Sequence, residues 1–268
     1  FVTNVDGTLR FVHHLRQVAK IERFLHVSTA MICGDQPPST VQEDDYPRAN
    51  VEHLVNYTES KAEAERLLRL TLPGFPLIVI RPSIIVGHTT LGCGPSSSIF
   101  WAFRMGDALG MVTSREDAKI DVIPVDYAAA ALQLLVLKDR LLHTSYHISA
   151  GQESCCNWDD IADAFGRSEA WTRGSARTLT GYRSSTLAEI AERKPEFDTL
   201  FGRCSKNFMM KALKLYGGFA GLNTTFDNSR LRSEGMPASP RFSDYIPACV
   251  QSCASLTIAD QMMIDFAP

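Results

Sequence analysis

The sequence predicts an α/β fold built around a parallel sheet. Short, strongly apolar or β-branched runs recur along the first 150 residues and are too brief to be helices. Segments of helical composition, 10 to 17 residues long, lie between them. That alternation calls for βαβ units. In addition, two of the runs end in hydroxyl residues, at Ser28-Thr29 and Ser83. In open α/β sheets, ligands gather at the carboxyl ends of strands.

Each element follows from its residues. Phe24 to Thr29 reads as a buried strand, and residues 57–72 (YTESKAEAERLLRLTL) read as a helix rich in Ala, Glu, Leu and Arg that stops at Pro73-Gly74. Leu77 to Ser83 is a second strand, closed by Pro82. Ile120 to Val125 is a third strand and leads through Asp126 into a helix over 127–137; Ser145 to Ser149 is a fourth strand, ahead of Gly151. Asp126 has two readings, as N-cap of the 127–137 helix or as a substrate contact. Pro195-Glu196-Phe197 starts a helix, because proline is tolerated in a first turn. Lys206 to Leu215 is an amphipathic basic helix that either packs on the core or lines a tunnel or membrane surface. The acidic, proline-containing stretch 35–50 is a loop long enough to cover a site.

The chemistry concentrates on Tyr57 and Lys61. At i and i+4 of one helix they share a face. A fixed cation beside a phenol favours phenolate and lowers its pKa, which suits a general acid. The hydroxyls of Ser28-Thr29 supply a second group to hold a carbonyl oxygen as charge develops on it. Together these residue types make a carbonyl-reducing set.

These segments resemble the extended short-chain dehydrogenase/reductases. Asn4-Val5-Asp6-Gly7-Thr8 is similar to that family's Asn-Val-x-Gly-Thr helix opening, and Val27 to Ala30 with Gly34 to its hydroxyl-bearing strand. Tyr57 to Lys61 matches Tyr-x-x-x-Lys, and Arg81 to Gly87 matches Arg-Pro-x-x-x-x-Gly. The stretch 120–132 (IDVIPVDYAAAAL) is most similar to the fatty acyl-CoA reductase and thioester reductase branch.

The resemblance implies a Rossmann-like, doubly wound parallel sheet over residues 1–150, lacking its first strands, with 88–115 on the substrate side. A smaller, mainly helical substrate-binding lobe over 151–268 follows. It implies Thr29, Tyr57 and Lys61 as catalytic residues, and Asn4, Ser28, Tyr57, Lys61, Pro82 and Ser83 at the cofactor. The cofactor expected is NADP, with NAD an alternative, and the substrate a small acyl or carbonyl compound. A nucleotide-sugar epimerase or dehydratase, a hydroxysteroid-type dehydrogenase, and a non-catalytic fragment or binding module are the alternatives.

No Gly-x-Gly-x-x-Gly turn occurs in the chain. Gly92-x-Gly94 and Gly217-Gly218-x-x-Gly221 read as ordinary turns. The chain is therefore expected to be the C-terminal part of a longer enzyme whose preceding half would be on the order of 90 residues. The strand at 24–29 should then lie at an exposed sheet edge.

At 268 residues, 45% apolar and 21% charged, the chain can bury a substantial core. A net charge of -3 gives no broad attraction to nucleic acid. No apolar run reaches the 18 residues or so of a membrane span. Seven cysteines without metal-ligand spacing read as reduced thiols of a cytoplasmic protein, and no metal site is expected. A homodimer is compatible with this reading.

Overall fold

The computed structural model describes residues 1–45, 51–170 and 181–265. Its central sheet has three parallel strands in the order β1 (Phe24–Val27), β3 (Leu77–Pro82), β7 (Ser145–Ile148). The register pairs Val27 with Ile80 and Ile80 with Tyr146, so the strand ends bearing Ser28-Thr29 and Ser83 stay level. β1 pairs on one side only among the described residues, leaving it at the edge as expected.

Short parallel pairs extend the architecture. β2 (Thr40–Val41) pairs with β9 (Thr225–Phe226), β4 (Ile84–Ile85) with β6 (Val122–Ile123), and β5 (Met111–Val112) with β8 (Arg183–Ser184). The run at 120–125 is thus strand only over Val122–Ile123, bounded by Pro124.

The chain enters through a wide helical turn, Val2–Gly7, continuous with helix α1 (Thr8–Val18). Helix α2 (Asn56–Thr71) falls within a residue of the sequence reading, and its Leu68, with Leu72 just after its end, packs against Val12 of α1. Gly74, at φ +74, turns the chain towards β3. Helix α4 (Val125–Leu137) covers β3 and β7 through Tyr127, Ala131 and Leu135, packed with Ile80, Tyr146 and Ile148.

The remaining helices are α3 (Phe100–Leu109), α5 (Gly151–Ser154), α6 (Trp158–Gly166), α7 (Leu187–Glu192), α8 (Phe197–Phe201), α9 (Lys206–Gly221), α10 (Ser229–Ser233), α11 (Phe242–Ser252) and α12 (Ile258–Asp265). A short 3-10 turn, Lys194–Glu196, leads into α8 as Pro195 predicts. Two further cores form here. One joins α6 and α11 through Ile161, Phe165, Phe242 and Ile246; the other joins α3, α8, α9 and α12 through Met105, Phe197, Met209 and Met262. Leu231 and Met236 return to the sheet core. Among the described residues, no helix is long and apolar enough to cross a membrane.

Three expectations need correction. Asp126 does not cap its helix: α4 begins at Val125 after the extended backbone of Pro124, and Asp126 sits in the first turn. There its carboxylate accepts from the Thr89 backbone N–H (3.2 Å) and Oγ1 (2.6 Å), holding the 88–92 turn beside the positive helix end. Gly217, Gly218 and Gly221 form no turn but complete α9, where a Cβ on Gly217 would stand 1.8 Å from Thr113 Oγ1. The missing side chain is what lets the helix approach β5. Finally, the 35–50 loop is not a free cover over its described part. Val41 is paired with Phe226, and the buried Glu43 carboxylate accepts from the backbone N–H groups of His147 (2.9 Å) and Arg230 (2.6 Å). Residues 46–50 lie outside the described residues.

Candidate active site

The site is assembled where β1, β3 and α2 converge. Beyond β1 the backbone stays extended through Thr29 and then turns into a short 3-10 segment, Ala30–Cys33. Ser28 N–H donates to Ile80 O at 2.7 Å, which locks the strand end to β3. Thr29 Oγ1 accepts from Met31 N–H at 3.3 Å and lies 3.5 Å from Pro82 O, towards which it donates. Its hydroxyl is therefore fixed by its own turn and by the neighbouring strand.

A buried ion pair sets α2 against the sheet. Arg81 of β3 grips Glu65 of α2 through Nη2–Oε1 (2.6 Å) and Nε–Oε2 (3.1 Å), both side chains almost wholly buried. Such a two-point guanidinium–carboxylate bond fixes orientation as well as distance. Because Tyr57 and Lys61 ride on the same helix, this pair positions them relative to Thr29 and Ser83. The sequence signal was present in Arg81, but its partner Glu65 could not be singled out among the many helical glutamates.

Ser28, Thr29, Tyr57, Pro82 and Ser83 all line one cavity of about 640 Å³. Lys61 and Asn4 stand beside it rather than in its wall. Lys61 Nζ donates to Val27 O at 2.9 Å and lies 5.9 Å from the Tyr57 ring centroid. Asn4 Nδ2 donates to Ser60 Oγ at 2.9 Å, and Ser60 Oγ donates to Tyr57 O at 2.8 Å, so Asn4 braces the first turn of α2 from behind.

The expected depression of the Tyr57 pKa is not what this arrangement gives. Burial pushes the Tyr57 phenol up and the Lys61 ammonium down from their ordinary values. The reason is geometric: Lys61 engages a backbone carbonyl and faces the tyrosine ring. Tyr57 is 53% exposed, and its phenol is protonated at neutral pH.

The rest of the cavity wall is mostly apolar and comes from segments that no motif marked. Trp101, Phe103 and Met105 of α3, Trp158 of α6, Ile190 of α7, and Leu213 and Tyr216 of α9 contribute. The basic helix thus packs on a core through Met209 and Ala212 and also lines the cavity. Asp121 and Lys119 are polar members of the wall that the sequence did not single out. Asp121 is fully buried, accepting from Ala150 N–H at 2.8 Å, and burial raises its pKa.

A nicotinamide cofactor, implied by the resemblance, fits this chain at one end. Among the described residues the Ser28 hydroxyl is buried in the cavity wall without a hydrogen-bond partner, with Tyr57 in the same wall and Lys61 beside it. No glycine-rich strand-to-helix turn for a pyrophosphate is present among these residues.

Comparison with known proteins agrees with this architecture. The chain is 26% identical over 159 residues to a putative fatty acyl-CoA reductase of Drosophila melanogaster, covering 47% of this chain and 29% of that protein. It spans between 9% and 29% of the length of the curated relatives it matches. Among solved structures, the terminal R domain from the myxalamid PKS-NRPS biosynthetic pathway superposes with a TM-score of 0.70 at 18% identity, covering 94% of this chain and 62% of that one. RMD from Pseudomonas aeruginosa, complexed with NADPH, superposes with a TM-score of 0.52 at 17% identity, covering 94% and 72%. These likenesses establish a Rossmann-like fold. The first 132 residues match the family described as male sterility protein, and over them the chain belongs to that NAD-binding family, within the extended short-chain dehydrogenase/reductases.

Proposed function

We propose that this chain carries the catalytic and substrate-binding part of an NADP-dependent reductase acting on an acyl thioester or a related carbonyl. The observation that carries the proposal is the shared cavity: Thr29 and Tyr57 face the same, largely apolar space. A polar sugar would leave its hydroxyls facing Trp101, Met105 and Leu213, whereas an acyl chain buries apolar surface there.

In this reading Tyr57 hands its phenolic proton to the carbonyl oxygen, and Thr29 donates a hydrogen bond to the same oxygen as charge develops. Lys61 and Tyr57 hold the ribose of the cofactor. Ser28, Pro82 and Ser83 bound its nicotinamide end, and Asn4 steadies the helix behind them. The bound cofactor supplies the hydride. A bound ligand that draws Lys61 from Val27 O towards Tyr57 would bring the cation nearer the phenol and favour proton release. The two-lobe division at about residue 150 belongs to the same proposal, with 88–115 and much of 151–225 facing the substrate.

The test is NADPH oxidation by the intact polypeptide with acyl thioesters set against nucleotide sugars and hydroxysteroids. Thioester-dependent turnover that Tyr57→Phe abolishes is the expected result. Turnover only with nucleotide sugars or steroids would replace the substrate assignment. NADPH binding without turnover on any panel would favour a binding module.

A further inference from the structure

We infer that Asp265 is a positioning residue that fixes the depth of the apolar cavity through Trp101, and with it the length of acyl chain admitted; this rests on the acyl reading above. Trp101 forms part of the cavity wall on its helical side and is 1% exposed. Among the described residues, two contacts hold its indole. Nε1 donates to Asp265 Oδ2 at 2.6 Å, and the ring meets Tyr216, itself a wall residue, edge-on at 5.1 Å between centroids. The other Asp265 oxygen accepts from Ser97 Oγ, just ahead of α3.

Asp265 lies in α12 and is not part of the cavity wall, so it acts on a ligand only through the indole. A buried indole N–H left without its acceptor costs free energy comparable to a lost hydrogen bond, so without Asp265 the ring would rotate to find another partner. The cavity end would then open. Gly217, next to Tyr216 in α9, lies against Thr113, and both border the cavity.

The experiment uses the full 268-residue chain and N-acetylcysteamine thioesters of straight alkanoyl chains of increasing length. Affinity in the unaltered protein should rise about fourfold per added methylene, the value of burying one such group, and then break where the chain meets Trp101. Trp101→Ala and Asp265→Leu should move the break to longer chains; Asp265→Asn, which keeps an acceptor oxygen, should leave it in place. Trp101→Phe removes the N–H but keeps a ring and should also shift the break, giving a second route should Asp265→Leu not fold. A break that stays put in a folded Asp265→Leu, or in Trp101→Ala, or, where Asp265→Leu does not fold, in Trp101→Phe, overturns the inference alone. Failure of the unaltered chain to bind any thioester overturns the acyl reading and this inference with it.

Discussion

Lys61 Nζ donates to the carbonyl oxygen of Val27 at 2.9 Å, tying the cation of the candidate site to the last residue of the edge strand that leads to Thr29. Lys61→Met keeps the apolar stem and removes that bond. Stability should fall by only about 1 kcal/mol, as expected for one partly exposed hydrogen bond. NADPH affinity and turnover should fall much further. Thermal melts alongside cofactor titration separate the two, and equal loss of both would assign Lys61 a structural role only.

Tyr57→Phe removes the phenolic hydroxyl from a half-exposed ring. The fold should hold within about 0.5 kcal/mol. Turnover should drop by roughly 10²- to 10⁴-fold, the range for loss of a positioned general acid. Retained turnover in steady-state assays would remove Tyr57 from the chemistry.

The Arg81–Glu65 pair carries a stability prediction. Glu65→Ala leaves the Arg81 guanidinium buried without its two-point partner and should cost about 3–5 kcal/mol. Replacing both residues together, Arg81→Met with Glu65→Leu, should cost less than Glu65→Ala alone, because the buried Arg81 charge is then gone, while the bond from Arg69 to Glu65 (3.2 Å) is lost in both variants. Urea denaturation of the three variants measures this. A double variant weaker than Glu65→Ala would show that the pair does more than satisfy its own charges.

His26, on β1, is buried with its Nε2 unpartnered among the described residues, and burial, reinforced by Lys61, depresses its pKa to about 4. Because the folded value lies below the ordinary 6.5, the unfolded chain takes up the proton first. The full contribution is present above about pH 6.5 and is lost as pH falls towards about 4, by at most about 3 kcal/mol. His26→Leu should flatten this part of the profile while His147, depressed by burial to about 3, continues to contribute in both proteins. In denaturation curves across that window the stability of the unaltered protein should therefore fall relative to that of His26→Leu, by up to about 3 kcal/mol between pH 6.5 and about 4. A constant difference at all pH values would contradict the assignment.

Gly217→Ala places a methyl group against Thr113 and should cost about 1–3 kcal/mol through overpacking. Thr113→Ala removes the nearest atom and should restore part of that loss in the double variant. A double-mutant cycle gives the coupling, and strict additivity would mean that the two residues do not meet.

Much of this architecture was legible in the residues. The β-branched run 77–83 and the Ala/Glu/Leu-rich segment 57–72 are consistent at every local level, so their strand and helix survive folding almost unchanged. The misreadings at Gly217 and Asp126 have one cause. A glycine pattern cannot tell a turn from a helix that needs close approach, and a capping residue type cannot tell a cap from a contact to a distant loop.

By itself the sequence determined the periodic elements, their parallel alternation, and which residue types stand at the strand ends, because those depend on spacing along the chain. Only the tertiary structure decided that Glu65 is the partner of Arg81, that Lys61 turns to Val27 and not to the phenol, and that Asp265, 164 residues from Trp101, holds its indole. Those outcomes depend on which groups lose water together and must find a partner in the interior, and that is set by packing between segments rather than by order within them.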